Sequence, residues 1–412
     1  MHLYCIFILL CVLFCDLHKC KASTSNDSQS YFTEASESAL SEDGRLNFTE
    51  LAIKYGQFVE QYDVTTEDGY ILTIFHVAKD LNTPNKPILL FHGIIDSSDT
   101  FLIRGNNSWV VNMGEAGYGV WVGNNRGNLY GRRHITLNPD TDQEFWDYSL
   151  HEIGYYDLAA TIDFVREKAK CDSILTVGHS QGTSAHFVLT SLRPEYNDKI
   201  SLFIALAPVA YLNYLEPPVS IAAGAGPIIT MLLRSLNINE LLRNHSVATD
   251  LVTSLCTNSV LSYLRCGFGT LFPFAGFDPA GLEEEFLTGV VFGHYPRTTS
   301  RKSLEHYNQI ALRRQFAQYD YGFFMNLINY GRIYPPEYDL TAVTAKIALF
   351  VGSADGVSKV KDVVRLGNTL PNVVHFEVME LERWNHVDFV WGKDIMSEYL
   401  YPTVLELLKT YE

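Results

Sequence analysis

The chain lacks any dense run of lysine or arginine. It contains 31 Lys and Arg against 47 Asp and Glu, so its formal net charge is −16 over 412 residues. Nucleic acids are bound by clustered positive charge, and this balance argues against a nucleic-acid partner. Hydrophobic residues make up 47% of the chain, which is ordinary for a globular protein and excludes disorder or low complexity.

Cysteine is also scarce. Four of the 7 cysteines lie within the first 20 residues: Cys5, Cys11, Cys15 and Cys20. The other three form no cluster with histidine at zinc-binding spacing, so neither a metal nor another cofactor is predicted. Cys256 and Cys266 are close enough in sequence to form a disulfide in an oxidising compartment. Cys171 is then left free, and we expect it to be buried.

Long apolar runs are missing except at the N-terminus. Leu3–Phe14 is apolar but too short to span a bilayer as a helix. Small residues precede Ser23, which predicts a cleavable signal peptide over residues 1–22 and a mature chain without a membrane span. A retained membrane anchor is the alternative. A secreted or lysosomal chain would expose some of its four glycosylation sequons, at Asn26, Asn47, Asn106 and Asn244.

Short apolar strands alternate with helical stretches along most of the chain. A hairpin signal, Asp68–Gly69, separates the first two predicted strands. The later strands are Pro87–Phe91, Gly119–Gly123, Ile174–Val177, Ile200–Ala207, Ile347–Val351 and Val373–Val378. This pattern predicts an α/β fold with a mostly parallel sheet and helices on both faces. We assign residues 23–211 and 336–412 to the two parts of this core, with a C-terminal helix over Ile395–Leu408.

Residues 212–335 interrupt the pattern and lack regular strands. We interpret them as an inserted cap, with a leucine-rich helix over Met231–Leu242. Four leucines on this helix either form a lipid-facing surface or pack the cap onto the core: Leu232, Leu233, Leu236 and Leu241.

The most informative motif is Gly-x-Ser-x-Gly at Gly178–Gly182. A strand precedes it and a helix-like run, Thr183–Leu192, follows it, as a nucleophile elbow requires. Ser180 is therefore the candidate nucleophile. A glycine-rich turn with an ordinary serine is the alternative.

A serine nucleophile needs a base and a carboxylate that orients the base. In this fold class they follow in the order Ser, Asp or Glu, then His. Asp355 follows a late strand and His386 follows the last strand, so both are in the required order. The alternatives are Asp362 as carboxylate and His294 or His375 as base, whereas Asp388 is interpreted as a structural hydrogen-bond partner of the loop.

The negatively charged oxygen of the tetrahedral intermediate needs hydrogen-bond donors. One is expected to be the backbone N–H of Gln181, directly after the nucleophile. We assign the second to the N–H of Ile94, which follows His92 and Gly93 in the loop after an early strand.

With these residues in place, the chain resembles the acid lipase family of α/β-hydrolases, which includes gastric, lysosomal and insect lipases. The similar segments are Thr66–Ile71, Phe91–Gly93, Gly123–Asn128, Glu144–Ser149, Tyr156–Phe164, Gly178–Gly182, Gly352–Asp355 and Asn385–Trp391. The resemblance implies the triad Ser180, Asp355 and His386, and the oxyanion donors Ile94 and Gln181. It also implies a disulfide at Cys256 and Cys266, and a mobile lid over residues 244–275.

By the same resemblance, the substrate is a neutral lipid ester at a lipid–water interface. Triglycerides and, in some members, cholesteryl esters are the family substrates. Two alternatives stay open: a carboxylesterase for small soluble esters, and a lipase-like protein that binds lipid without catalysis. A fluorophosphonate probe would label the enzyme and spare the binding protein.

Overall fold

The computed structural model describes residues 40–80, 86–243, 246–257, 259–397 and 399–412. The predicted signal peptide over residues 1–22 and the sequons at Asn26 and Asn244 lie outside these ranges. No helix within them is long and apolar enough to cross a membrane.

An eight-stranded sheet forms the centre of the fold. Its strands are β1 (Phe58–Thr65), β2 (Ile71–Ala78), β3 (Lys86–Phe91), β4 (Tyr118–Val122), β5 (Ile174–His179), β6 (Ile200–Leu206), β9 (Ile347–Val351) and β10 (Val373–Val378). A separate antiparallel pair consists of β7 (Glu240–Leu241) and β8 (Thr299–Ser300). The strands of the large sheet lie in the order β1-β2-β4-β3-β5-β6-β9-β10.

In the strand order of the large sheet, all neighbours from β4 to the β10 edge are parallel. β2 is antiparallel to both of its neighbours, β1 and β4, and forms a hairpin with β1. This arrangement confirms the predicted mostly parallel sheet. The hairpin turns at the predicted Asp68–Gly69, where Gly69 has a φ of 97°, a conformation that suits glycine.

Ten α-helices of seven residues or more are present in the described ranges. They are α1 (Phe48–Lys54), α2 (Trp109–Glu115), α3 (Ala159–Ala169), α4 (Gln181–Leu192), α5 (Val219–Ser235), α6 (Val247–Cys256), α7 (Arg301–Arg313), α8 (Phe323–Tyr330), α9 (Val360–Thr369) and α10 (Tyr401–Tyr411). Single α-helical turns occur at Leu150–Glu152, Val260–Ser262, Phe272–Ala275, Glu284–Phe286, Phe292–His294 and Asp388–Trp391. Three π-helical stretches span Ile153–Leu158, Tyr263–Leu271 and Leu287–Val291.

Helices cover both faces of the sheet. Successive residues of a strand point to opposite faces, so alternate residues of one strand pack against different helices. On β3, Ile88 and Leu90 belong to one buried cluster, which includes residues of α2 and α10. Leu89 and Phe91 belong to a second cluster, which includes residues of α3, α4 and α9. The continuous apolar strands are therefore buried on both faces.

Three sequence expectations were wrong in detail. The predicted helix over Met231–Leu242 is instead α5, Val219–Ser235, with Pro227 in its interior. The C-terminal helix begins at Tyr401, six residues after the predicted Ile395, because Pro402 is favourable only in the first turn of a helix. Cys171 is free but half-buried, not buried.

The 212–335 segment contains α5 to α8 between β6 and β9 of the large sheet. It includes the two-residue strands β7 and β8, which the sequence pattern did not predict. Two of the four ridge leucines, Leu233 and Leu241, are buried, whereas Leu232 and Leu236 are exposed.

Candidate active site

Ser180 occupies a sharp turn between β5 and α4. Its backbone has φ 52° and ψ −116°, a combination that L-residues rarely adopt and that marks strain at functional sites. The turn needs glycine on both sides. A side chain at Gly182 would clash with the carbonyl oxygen of Phe91, and one at Gly178 would crowd the backbone of Gly182.

His386 lies between Ser180 and Asp355. Its Nε2 is 2.8 Å from the Ser180 Oγ, and its Nδ1 is 2.9 Å from the Asp355 Oδ2. Asp355 is buried, and its Oδ1 also accepts hydrogen bonds from the N–H groups of Val357 and Ser358 at 2.7 Å each. The carboxylate is thus fixed by backbone donors and can hold the imidazole with Nε2 toward the serine.

The structure brings together the three residues first chosen from the sequence and keeps the alternatives apart. Asp362 accepts hydrogen bonds from the N–H groups of Asn213 and Tyr214. His294 contacts Asp99 and the carbonyl of Asp43. His375 pairs with Glu377 on β10.

The loop that carries His386 is held by side chains on both sides of it. The Asn385 Oδ1 accepts from the N–H groups of Val387 and Asp388, and the Asp388 Oδ2 accepts from the Asn385 N–H. His179 contributes as well, because its Nε2 is 2.8 Å from the His386 carbonyl oxygen. Burial and the nearby His386 lower the pKa of His179 to about 3, so His179 is neutral and donates through Nε2.

A carbonyl of the inserted segment also touches this site. The Ala275 oxygen accepts hydrogen bonds from the N–H of His386 at 2.9 Å and from the N–H of Gly356 at 3.0 Å. The adjoining Gly276 has a φ of 109°, and a side chain there would clash with the Ala354 carbonyl. One short segment therefore supports the loops of both Asp355 and His386.

The turn proposed to donate to the oxyanion is stabilised by His92. Its Nδ1 is 2.8 Å from the Gly93 carbonyl oxygen, and its Nε2 accepts from the Asn125 N–H and the Asn128 Nδ2. Burial lowers the pKa of His92 to about 4, which keeps this ring neutral. Ile94 lines the same cavity as Ser180, and a Cβ at the preceding Gly93 would lie 3.4 Å from the Ser180 Cβ.

Sequence reasoning missed the supporting roles of His92, His179 and Asn385. Each of the three lies in a motif that was selected for another residue: Ile94, Ser180 or His386. The available signal was a histidine next to a glycine, His92 before Gly93 and His179 after Gly178, but the hydrogen-bond partners of these rings could not be identified from the sequence.

A cavity of about 360 Å³ opens at Ser180. Its walls are largely apolar and come from α5, from α7 and from the loops after β3 and β6, with Leu215, Ala222, Ile229 and Leu233 among the lining residues. Polar lining residues include Arg301 and Asn308, and the Asn308 Oδ1 is buried without a hydrogen-bond partner in the described part of the chain. Ser180 thus faces a space that suits an apolar chain.

Cys256 and Cys266 form a disulfide within residues 212–335. It links the end of α6 to the π-helical stretch Tyr263–Leu271. Of the two sequons in the described ranges, Asn47 is the N-cap of α1 and Asn106 lies in a short helical turn, and both asparagines are exposed.

Comparisons with known proteins identify the fold and the family of this chain. Residues 48–105 match the family model described as a partial alpha/beta-hydrolase lipase region, and residues 86–229 match the alpha/beta hydrolase fold. A solved structure from Sulfolobus solfataricus superposes with a TM-score of 0.57 at 13% identity, over 90% of this chain and 98% of that chain. At that identity the likeness shows the fold alone.

Curated relatives cover most of the chain. Gastric triacylglycerol lipase of Mus musculus is 35% identical over 86% of this chain and 90% of its own length. Lipase 1 of Drosophila melanogaster is 35% identical over 90% of this chain and 81% of its own length. Lysosomal acid lipase/cholesteryl ester hydrolase of Macaca fascicularis is 32% identical over 91% of this chain and 93% of its own length. The chain therefore belongs to the family of gastric, lysosomal acid and insect lipases within the α/β-hydrolases.

Proposed function

We propose that this protein is a lipase that hydrolyses the ester bonds of neutral lipids through a covalent acyl-enzyme. The observation that carries the proposal is the hydrogen-bonded series Ser180, His386 and Asp355 at the end of an apolar cavity. Triglycerides are the first substrate to test, because relatives carry that activity in their names, and cholesteryl esters are the second.

Each step follows from the position of one group. His386 Nε2 takes the proton of the Ser180 hydroxyl while the Oγ attacks the ester carbonyl. The oxyanion that forms receives hydrogen bonds from the N–H groups of Ile94 and Gln181. Gln181 is the first residue of α4, and the first N–H groups of a helix have no partner within it.

Collapse of the first intermediate releases the alcohol, which takes its proton from His386. Water then enters, His386 removes a proton from it, and the resulting attack on the acyl-serine forms a second tetrahedral intermediate. Its collapse breaks the bond to the Ser180 Oγ, which takes the proton back from His386, and frees the fatty acid. Asp355 keeps the imidazole in the required tautomer and stabilises its cation in both halves of the reaction. Asp355 and Ser180 are buried, which strengthens these electrostatic interactions.

We infer a secreted or lysosomal location from the predicted signal peptide and the Cys256–Cys266 disulfide. In this proposal, residues 212–335 form the cap, residues 244–275 form its lid, and the sequons carry glycans. The enzyme acts at a lipid–water interface.

The first test compares hydrolysis of a long-chain triglyceride emulsion with that of a short-chain soluble ester, each from pH 4 to 8. Ser180→Ala is the control, and we expect it to abolish both activities while the protein keeps its thermal unfolding transition. Substantial turnover by the variant would overturn the assignment. Activity on the soluble ester alone would indicate a carboxylesterase. Silence on both substrates, with no fluorophosphonate labelling, would indicate a lipid-binding protein.

A further inference from the structure

The helix α8 presents an apolar surface to solvent instead of to the core. Its exposed side chains, together with Tyr334, are called the α8 patch: Phe323, Phe324, Met325, Leu327, Ile328 and Tyr334. Phe324 is 77% exposed and Ile328 is 73% exposed. A contiguous apolar surface of this kind marks an interaction site in a water-soluble fold.

The α8 patch is held rigidly. Asn326 is the buried residue of the helix, and its Nδ2 donates to the Asp320 Oδ1 at 2.6 Å and to the Ile333 carbonyl at 2.7 Å. Its Oδ1 accepts from the Tyr321 N–H at 2.9 Å. The side of the helix that carries Asn326 thus faces the protein interior, and the apolar side chains face solvent.

The α8 patch lies next to the helix that covers the active-site cavity. Arg234 in the last turn of α5 donates to the Tyr319 hydroxyl at 2.7 Å, and the Tyr330 hydroxyl of α8 donates to the Tyr319 carbonyl at 2.8 Å. The inner side of α5 lines the cavity, and its outer side exposes Ile228 and Met231. Two neighbouring helices therefore expose apolar side chains beside the cavity.

Charge distinguishes a lipid surface from other occupants. The chain carries a net charge of −16, yet residues 321–336 contain no Asp or Glu and one cation, Arg332. The preceding Asp320 is paired with Arg313. The carboxylates beside Met325, Asp147 and Glu152, share a pocket with Arg234, Arg301 and Lys302, and Lys302 pairs with Asp147. A lipid surface that accumulates fatty-acid product is anionic, and a strongly acidic protein is repelled from it unless it approaches through a face whose carboxylates are balanced by cations.

We propose that the α8 patch, with the outer side of α5, docks this protein on a lipid surface that contains fatty acid. This anchor is separate from the predicted lid at residues 244–275. The inference rests on the proposed function, because that reaction supplies the fatty acid. Docking through α8 would hold the neighbouring cavity close to the surface from which substrate enters.

The test measures cosedimentation with phosphatidylcholine vesicles that contain oleic acid, in the full chain carrying Ser180→Ala. Catalysis is absent in this background, so a failure of the proposed chemistry cannot imitate a failure of docking. The test variant adds Phe324→Gln and Ile328→Gln. The matched control instead adds Phe58→Gln and Ile53→Gln, which replace one Phe and one Ile of 59% and 63% exposure on β1 and α1.

We expect the test variant to lose vesicle affinity by about tenfold or more, because two large apolar side chains no longer leave water. The control should bind within about twofold of the parent, since exposed side chains away from the contact contribute little. Thermal unfolding and, with Ser180 restored, turnover of a soluble ester should be unchanged in both. Equal losses in both variants, or vesicle binding unaffected by the α8 changes, would overturn the proposal. So would a vesicle-free dimer that the α8 changes dissociate, because the patch would then bind a second copy.

Discussion

Asp355 provides the most specific test of the triad at the scale of single residues. Asp355→Asn keeps the shape of the side chain and an oxygen for the N–H groups of Val357 and Ser358. Its amide nitrogen would then face His386 Nδ1 and favour the wrong imidazole tautomer. We expect kcat on a soluble ester to fall by about 10⁴-fold with a small change in KM, measured by steady-state kinetics.

The control for this prediction is Asp362→Asn, at the carboxylate that the sequence left as an alternative. Asp362 bonds to the N–H groups of Asn213 and Tyr214 instead of to a histidine. Its variant should therefore retain kcat within a few-fold. A large loss at Asp362 with activity preserved at Asp355 would reverse the two roles.

Sequence reasoning could select the candidate catalytic residues but not the residues that support them. Ser180, Asp355 and His386 each follow a recognisable strand in a known order, so local patterns suffice to select them. The role of His179 depends on a carbonyl that lies 207 residues away in sequence. His92 likewise holds the Ile94 turn through partners on another loop. Such pairings are set by tertiary packing and leave no local periodicity.

At the scale of elements, the short segment Phe272–Gly276 connects residues 212–335 to the loops of Asp355 and His386. Gly276→Ala would add a side chain against the Ala354 carbonyl at a backbone conformation with φ 109°. We expect the free energy of unfolding to fall by about 1–3 kcal/mol and kcat to fall as well, because the Ala275 carbonyl positions both loops. Chemical denaturation and soluble-ester kinetics measure the two effects.

Gly117→Ala is the matched control for this variant. Gly117 has a φ of 94°, but a side chain there would meet no atom within 4 Å. The free energy of unfolding should therefore fall because of the backbone conformation, while kcat stays at the value of the parent. Equal kcat in the two variants would show that the Gly276 segment does not position the triad.

Element boundaries in the inserted segment were the least predictable part of the fold. Gly224, Gly226 and Pro227 argue against a helix by intrinsic propensity, yet α5 runs through all three. Its inner side lines the active-site cavity, and this tertiary packing outweighs the local cost. The core strands were predicted well because their apolar runs and the turns between them are encoded locally.

For the whole molecule, the sequence indicated a parallel sheet but not its strand order. The order places β3, β5, β9 and β10 so that the loops carrying Ile94, Ser180, Asp355 and His386 follow their carboxyl ends. This is the edge at which parallel sheets bind ligands. Crossover packing determines that order, and it is a property of the assembled molecule.

The pH dependence of the free energy of unfolding is also a property of the whole molecule. Burial raises the pKa of Asp96 from 3.8 to about 7, so the folded state keeps a proton that the unfolded chain releases. The stability associated with this group is complete below pH 4 and is lost as pH rises through 7. The loss across this window is on the order of 4 kcal/mol for a shift of this size.

Asp96→Asn should remove that pH dependence, because the amide cannot ionise and can still accept from the Ser97 N–H as the Asp96 Oδ1 does. We expect the variant to gain stability over the parent at pH 7 and to match it near pH 4, measured by chemical denaturation across the range. Asp198→Asn replaces an exposed carboxylate and is the control. Its free energy of unfolding should change with pH as steeply as that of the parent. A difference between Asp96→Asn and the parent that is constant with pH would mean that Asp96 ionises equally in both states. With the expected result, protonation of Asp96 favours the folded state at acidic pH.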